Sequence, residues 1–100
     1  MAEDRAKRKL SAVLSADVKG YSRLMGQDEA GTVERLKEYR ALMARLIQKY
    51  RGRVVDSPGD NILAEFPSIV DATECAVQIQ EELSERNAGL PNDNRMEFRI

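Results

Sequence analysis

Apolar positions along the chain alternate between short runs and long stripes at helical spacing. "LSAVLSAD", residues 10–17, is short, apolar and closed by an acid, and it reads as a buried strand; periodicity alone leaves a short helix open. "VKGYSRLMGQ" follows with two glycines and no long pattern, so a loop or a short helical turn is expected. Asp28 has the character of an N-cap, with Glu29 in the first turn. Beyond it Val33, Leu36, Met43, Ile47 and Tyr50 recur at helical spacing, with Tyr39 and Leu46 beside them. Arg and Lys take the other face, and Gly52 is expected to end the helix.

"GRVVDS" and "NILAEF" read as two strands. Between them, Ser57-Pro58-Gly59-Asp60 suits a type II turn, with proline at the first corner and glycine at the second. "SIVDATECAVQIQEELSERNA" is a second amphipathic helix, capped by Ser68, with Ile69, Ala72, Ala76, Ile79 and Leu83 as its apolar stripe. "GLPNDN" breaks the chain, and "RMEFRI" alternates, placing Met96, Phe98 and Ile100 on one face.

The order strand, helix, strand, strand, helix, strand is the ferredoxin-like split βαβ arrangement, an α+β fold. The first crossover is right-handed and makes strands one and two parallel. Strand three fills the gap between them, antiparallel to both. The end of strand one then lies beside the turn between strands two and three, so Asp17 and Asp60, far apart in sequence, meet at one end of the sheet. The chain reads as stopping inside or at the end of its last strand. Met96, Phe98 and Ile100 are therefore expected along an unpaired edge, which makes the chain by itself prone to dimerise or aggregate.

Composition narrows the chemistry. With 42% apolar and 33% charged residues, the 100-residue chain suits one globular domain or part of one. The net charge of −1 gives no general pull toward nucleic acid or an anionic membrane. The opening "MAEDRAKRKL" lacks the apolar core of a signal peptide, and no stretch is long enough to span a bilayer, so a cytoplasmic location is expected. It also leaves little room for a sensor before the domain, so a regulatory or effector domain is expected after it. The absence of histidine excludes a Ser-His-Asp or Cys-His centre within the chain. One cysteine and no histidine also disfavour zinc, so any metal should be hard and oxygen-loving, such as magnesium or manganese. Cys75, within a helical pattern, reads as a small buried thiol.

Two carboxylates at close range repel, and a divalent cation removes the conflict. Magnesium on such a pair, completed by water and phosphate oxygens, is a usual phosphate-handling site. Gly20 in "VKGYS" lets backbone N–H groups approach closely, and N–H groups at such a turn can cradle a triphosphate. Each element alone is also an ordinary turn or cap residue, and Lys19 alone is an ordinary solvated lysine. The residues therefore leave two readings open: a metal–phosphate site, or an unrelated ferredoxin-like binding module.

At these residues the sequence resembles the class III adenylate/guanylate cyclase catalytic domain. "SADVKGYS" matches the family's strand ending in an acid and followed by a glycine-aromatic-hydroxyl step, through Asp17, Gly20, Tyr21 and Ser22. "VVDSPGDNILAEF" matches its hairpin with glycine-aspartate at the turn, through Gly59, Asp60 and Phe66. "DATECAVQIQEEL" and "MEFRI" look like the same family. The resemblance runs from about residue 8 to the end. It implies a lead-in over residues 1–9 and the N-terminal portion of a cyclase domain over residues 10–100, with a polymerase-palm-like sheet.

The resemblance further implies conversion of ATP or GTP to 3′,5′-cyclic nucleotide and pyrophosphate. Asp17, Asp60 and the Val18 carbonyl would hold two Mg2+ or Mn2+ ions. Val18, Lys19, Gly20, Tyr21 and Ser22 would hold phosphates. A head-to-tail homodimer would share each site. Asp56 stands where adenylate cyclases often carry a base-reading lysine; it resembles the guanylate cyclase arrangement, or that of a bacterial subgroup that reads the base differently. The family's ribose-orienting asparagine and its transition-state arginine would fall beyond Ile100, so this chain alone is expected to be inactive. The alternative within the family is a catalytically degenerate nucleotide-binding or regulatory module.

Overall fold

The computed structural model of the protein describes residues 12–100; the two leading residues of the expected first strand and the lead-in over residues 1–9 lie outside them. Strand β1 (Ala12–Val18) is followed by helices α1 (Tyr21–Gln27) and α2 (Glu29–Lys49). Strands β2 (Arg53–Asp56) and β3 (Asn61–Phe66), helix α3 (Ile69–Ala88) and strand β4 (Phe98–Arg99) complete the order, with a 3-10 turn at Asn92–Asn94. The sheet runs β2-β3-β1-β4, and every adjacent pair is antiparallel. β3 thus fills the gap between β1 and β2, as the split βαβ order requires.

Alternation in the strands decides which face is covered. Leu14, Ala16 and Val18 of β1 and Ile62, Ala64 and Phe66 of β3 are buried beneath the helices, in one cluster with Leu36, Tyr39, Met43, Ile47, Cys75 and Ile79. The intervening residues face away from the helices. Val13, at 69% exposure, marks that second face as open.

The helix ends follow local chemistry. The Asp28 carboxylate accepts from the Gly31 amide at 3.0 Å, and the Ser68 hydroxyl accepts from the Asp71 amide at 3.1 Å, so both expected caps form. "VKGYSRLMGQ" resolves into a true helix, α1, entered through Gly20 at φ 67°. Two apolar residues expected in helix stripes fall at their margins instead: Val33 is 46% exposed and Ile69 is 69% exposed. Gly52 does not supply the left-handed residue after α2. Arg51 does, at φ 67°. Glycine is required at position 52 because a Cβ there would meet the Phe66 ring at 2.5 Å.

The last strand also departs from expectation. β4 is an edge strand as expected, but the Met96 and Phe98 side chains are covered, at 0% and 5% exposure, while Ile100 is 40% exposed. Asn87 holds this segment down. Its side chain donates to the Met96 carbonyl at 2.9 Å and accepts from the Met96 amide at 3.1 Å and the Tyr39 hydroxyl at 2.9 Å. The helices therefore claim the apolar side chains, and β4 contributes only two residues to the edge.

Candidate metal and phosphate site

β1 and β3 pair from Ala12↔Phe66 to Asp17↔Asn61, which brings the end of β1 to the mouth of the β2–β3 hairpin. There the Asp60 Oδ2 accepts a hydrogen bond from the Val18 amide at 3.2 Å. Asp17 is the preceding residue, on the open face of the sheet. Across β1 from Asn61, Asp17 is in register with Arg99 of β4. The Arg99 Nε donates to Asp17 Oδ1 at 2.9 Å, in a pair whose side chains are 67% and 38% exposed. An ion pair so exposed is worth at most about 1 kcal/mol, so it neutralises Asp17 without locking it.

The turn is shifted by one residue from the type II turn expected with Pro58 at the first corner. The closing bond runs from the Asn61 amide to the Pro58 carbonyl at 2.9 Å. Gly59 therefore takes the first corner, at φ 55°, and Asp60 the second. Proline's missing N–H is no loss in that place, because position i of the turn only accepts. The Ser57 hydroxyl donates to the Asn61 carbonyl at 3.2 Å, and the Arg40 guanidinium donates to the carbonyls of Ser57, Gly59 and Asn61.

Asp56 reaches the open face through a slip in register. Val54 pairs with Ala64, yet Asp56 pairs with Leu63, so Val55 is an extra residue in β2. Without it Asp56 would oppose Ile62 and face the helices; such a bulge re-aims the side chain that follows. Asp56 is exposed and accepts from the Ser57 amide at 2.8 Å. It shares the open face with Leu63, Ser15 and Asp17 but touches neither aspartate in the hydrogen-bond pattern.

The segment after Asp17 turns sharply. The Lys19 amide donates to the Glu97 carbonyl at 2.8 Å, and its ammonium lies 3.8 Å from the exposed Glu97 carboxylate. Gly20 is left-handed, which L side chains rarely adopt. The Val18 side chain is buried in the core, so it can meet a ligand only through the backbone; Tyr21 is partly buried against the core and Ser22 is exposed. The Arg23 guanidinium lies against Gly20, 3.5 Å from where a Cβ would stand.

Arg23, Arg40, Asn61 and Arg99 are the residues the sequence reading missed here. Their signals were weak: basic residues on an amphipathic helix, a turn-flanking asparagine, and an outward-facing residue of an alternating strand. Asn61, opposite Asp17, leaves its buried Oδ1 without a partner among the described residues.

The donor set fits a hard cation. At the strand end the Asp60 carboxylate accepts from the Val18 amide and Asp17 is the residue before it, an oxygen donor set with neither sulfur nor imidazole. Among the described residues no group of three or more His, Cys, Asp or Glu gathers, so an ion here would take its remaining ligands from water or phosphate. That suits magnesium or manganese, which keep waters and take phosphate oxygens. A groove of about 640 Å3 between α3 and β4 includes Lys19 and Arg99 but neither aspartate. Asp17 and Asp60 lie instead at the end of the open sheet face, where the described residues build no opposing wall. No helix of the described residues is long and apolar enough to cross a membrane.

No protein-family model matches the chain. Over its whole length it is 39% identical to "Putative adenylate cyclase 3" of Rhizobium meliloti (strain 1021), of which it spans 17%. The crystal structure of an adenylate/guanylate cyclase/hydrolase from Silicibacter pomeroyi shares the fold at TM-score 0.78 and 37% identity, over 91% of this chain and 53% of that one. A bacterial light-regulated adenylyl cyclase gives TM-score 0.77 at 20% identity, over 88% and 28% of the two chains, a likeness of fold alone.

Proposed function

From a chain that belongs by sequence and fold to the class III adenylate/guanylate cyclase domain family, we infer the metal-holding part of a nucleotidyl cyclase site. The observation that supports this most is the bond from the Val18 amide to the Asp60 carboxylate, one residue after Asp17. Asp17, Asp60 and the Val18 carbonyl would hold Mg2+ or Mn2+, two ions in the completed site. The bound ions would favour the ionised ribose 3′-hydroxyl and offset the charge of the triphosphate and of departing pyrophosphate.

The chain's own part is positioning. Gly20 lets the backbone of residues 18–22 come close to phosphate, and Lys19 places a positive charge at its edge. Asp56, on the open face, would accept from a base edge. The reaction joins the 3′-oxygen to the α-phosphorus and breaks the α–β anhydride, so pyrophosphate leaves with the bonding pair. The uncovered sheet face supports a second copy as the missing wall, in a head-to-tail dimer. The chain alone is then inactive.

The test is a chain continued through the remainder of the domain, incubated with ATP or GTP and Mn2+, with the product measured by mass spectrometry. Cyclic nucleotide that vanishes in Asp17→Ala, the fold intact, is the expected result. Full activity in Asp17→Ala overturns the assignment. Tight nucleotide binding by a verified dimer without turnover favours the regulatory module.

A further inference from the structure

We propose that Arg40 is a positioning residue for Asp60, fixing the turn that presents the carboxylate. The role rests on reading Asp60 as a cation-holding residue. Arg40 lies on α2, next to the buried Tyr39, and its side chain crosses to the hairpin. One guanidinium nitrogen, Nη2, donates to the Ser57 carbonyl at 3.2 Å, to the Gly59 carbonyl, and to the Asn61 carbonyl at 3.4 Å. These carbonyls bracket Asp60 in sequence. Three peptide oxygens turned toward one point repel each other unless a cation sits among them.

Besides the Asp60 bond to the Val18 amide and the Ser57 hydroxyl on the Asn61 carbonyl, the hairpin's own backbone fixes its direction weakly. β2 is a four-residue edge strand with a register slip, and the turn passes through a left-handed glycine. The Arg40 Nε is buried and has no acceptor among the described residues. An unpaired buried N–H is costly, so what the far end of the side chain binds must hold it there. Arg40 thus ties the hairpin to α2, whose Tyr39, Met43 and Ile47 are buried in the core. The Asp60 carboxylate then reaches the Val18 amide from a fixed turn.

The experiment uses the chain itself and two readouts. Hydrogen exchange of the Val18 amide reports the Asp60 contact without metal. Mn2+ titration, followed by relaxation broadening of backbone amide signals, reports the cation site. Arg40→Met is compared with Arg45→Met, which removes an exposed charge from the same helix. Arg40→Met should speed Val18 exchange about tenfold or more, the scale of one lost bond, and raise the Mn2+ needed for half-broadening by a similar factor. Exchange in the core around Ile47 and Ile79 should change far less. Arg40→Lys offers three ammonium donors to three carbonyls and should recover most of both effects.

Val18 exchange and Mn2+ response in Arg40→Met equal to those of Arg45→Met overturn the positioning role. A uniform rise in exchange across the fold also overturns it, since Arg40 then only stabilises. If Arg40→Met does not fold, Arg40→Lys carries the test, and a Lys variant that folds yet behaves like the aspartate knock-out Asp60→Asn overturns it. Failure of Mn2+ to broaden signals near Asp17 and Asp60 in the unaltered chain overturns the cation reading instead, separately from the exchange result.

Discussion

The Asp60 carboxylate accepts from the Val18 amide at 3.2 Å, across 42 residues of sequence. That bond pins the tip of the β2–β3 hairpin to the end of β1. It sets one acidic side chain beside the residue that follows another. The fold achieves this by threading β3 between β1 and β2, so Asp60 needs no long loop to reach the end of β1.

The hairpin strands depend on a glycine that the turn does not explain. Gly52→Ala would place a Cβ 2.5 Å from the buried Phe66 ring, which has nowhere to move. The expected loss is roughly 1–3 kcal/mol. Gly26→Ala, in α1 with nothing within 4 Å, should instead gain about 0.5–1 kcal/mol from helix propensity. Urea unfolding of both variants checks the pair; equal shifts of one sign would show that the Phe66 contact is not what position 52 requires.

Asn87 ties α2, α3 and the approach to β4 together through Tyr39 and Met96. Asn87→Ala leaves a buried hydroxyl, an amide and a carbonyl unpaired, so a loss of about 3 kcal/mol is expected. Tyr39→Phe removes one of those bonds and should cost about 1 kcal/mol. Chemical denaturation measures both, and a cost for Asn87→Ala no larger than that for Tyr39→Phe contradicts the shared network.

Burial pushes the Cys75 thiol from its ordinary 9.0 up to about 11. Burial likewise raises Tyr39 above its ordinary 10.0, against the opposing pull of Arg35. As pH rises the unfolded chain gives up these protons first. The folded state then holds more protons, so stability falls with pH. The thiol's contribution is complete below 9.0 and lost as pH climbs through about 11. Denaturation midpoints across that range should fall, and Cys75→Ala should flatten the slope. An unchanged slope in Cys75→Ala assigns the alkaline loss to other groups.

Much of this was legible in the sequence because the period of apolar residues switches cleanly between strand and helix. The helix caps Asp28 and Ser68, the strand order and the placing of Asp60 beside the end of β1 all follow from that switch and from crossover handedness. What failed to show depends on register and reach. Nothing in "GRVVDS" reveals that Val55 is an extra residue, yet that slip decides which face Asp56 takes. Val33 and Ile69 keep helical spacing but lie at stripe margins, where a neighbouring element decides burial. Met96 and Phe98 alternate as an edge strand would, and only the packing of Asn87 and Tyr39 shows them covered. Arg40 and Arg99 read as solvated charges, because a long side chain's target lies on another element.

The central claim is that Asp17 and Asp60 hold one cation site between them. Mn2+ binding to the chain, measured by electron paramagnetic resonance of the free ion, tests it with Asp17→Asn, Asp60→Asn and the double variant. A shared site predicts strong coupling: each single change weakens binding about tenfold or more, and the double change adds little beyond either. Binding that survives both substitutions, or losses that simply multiply as at independent sites, would contradict it.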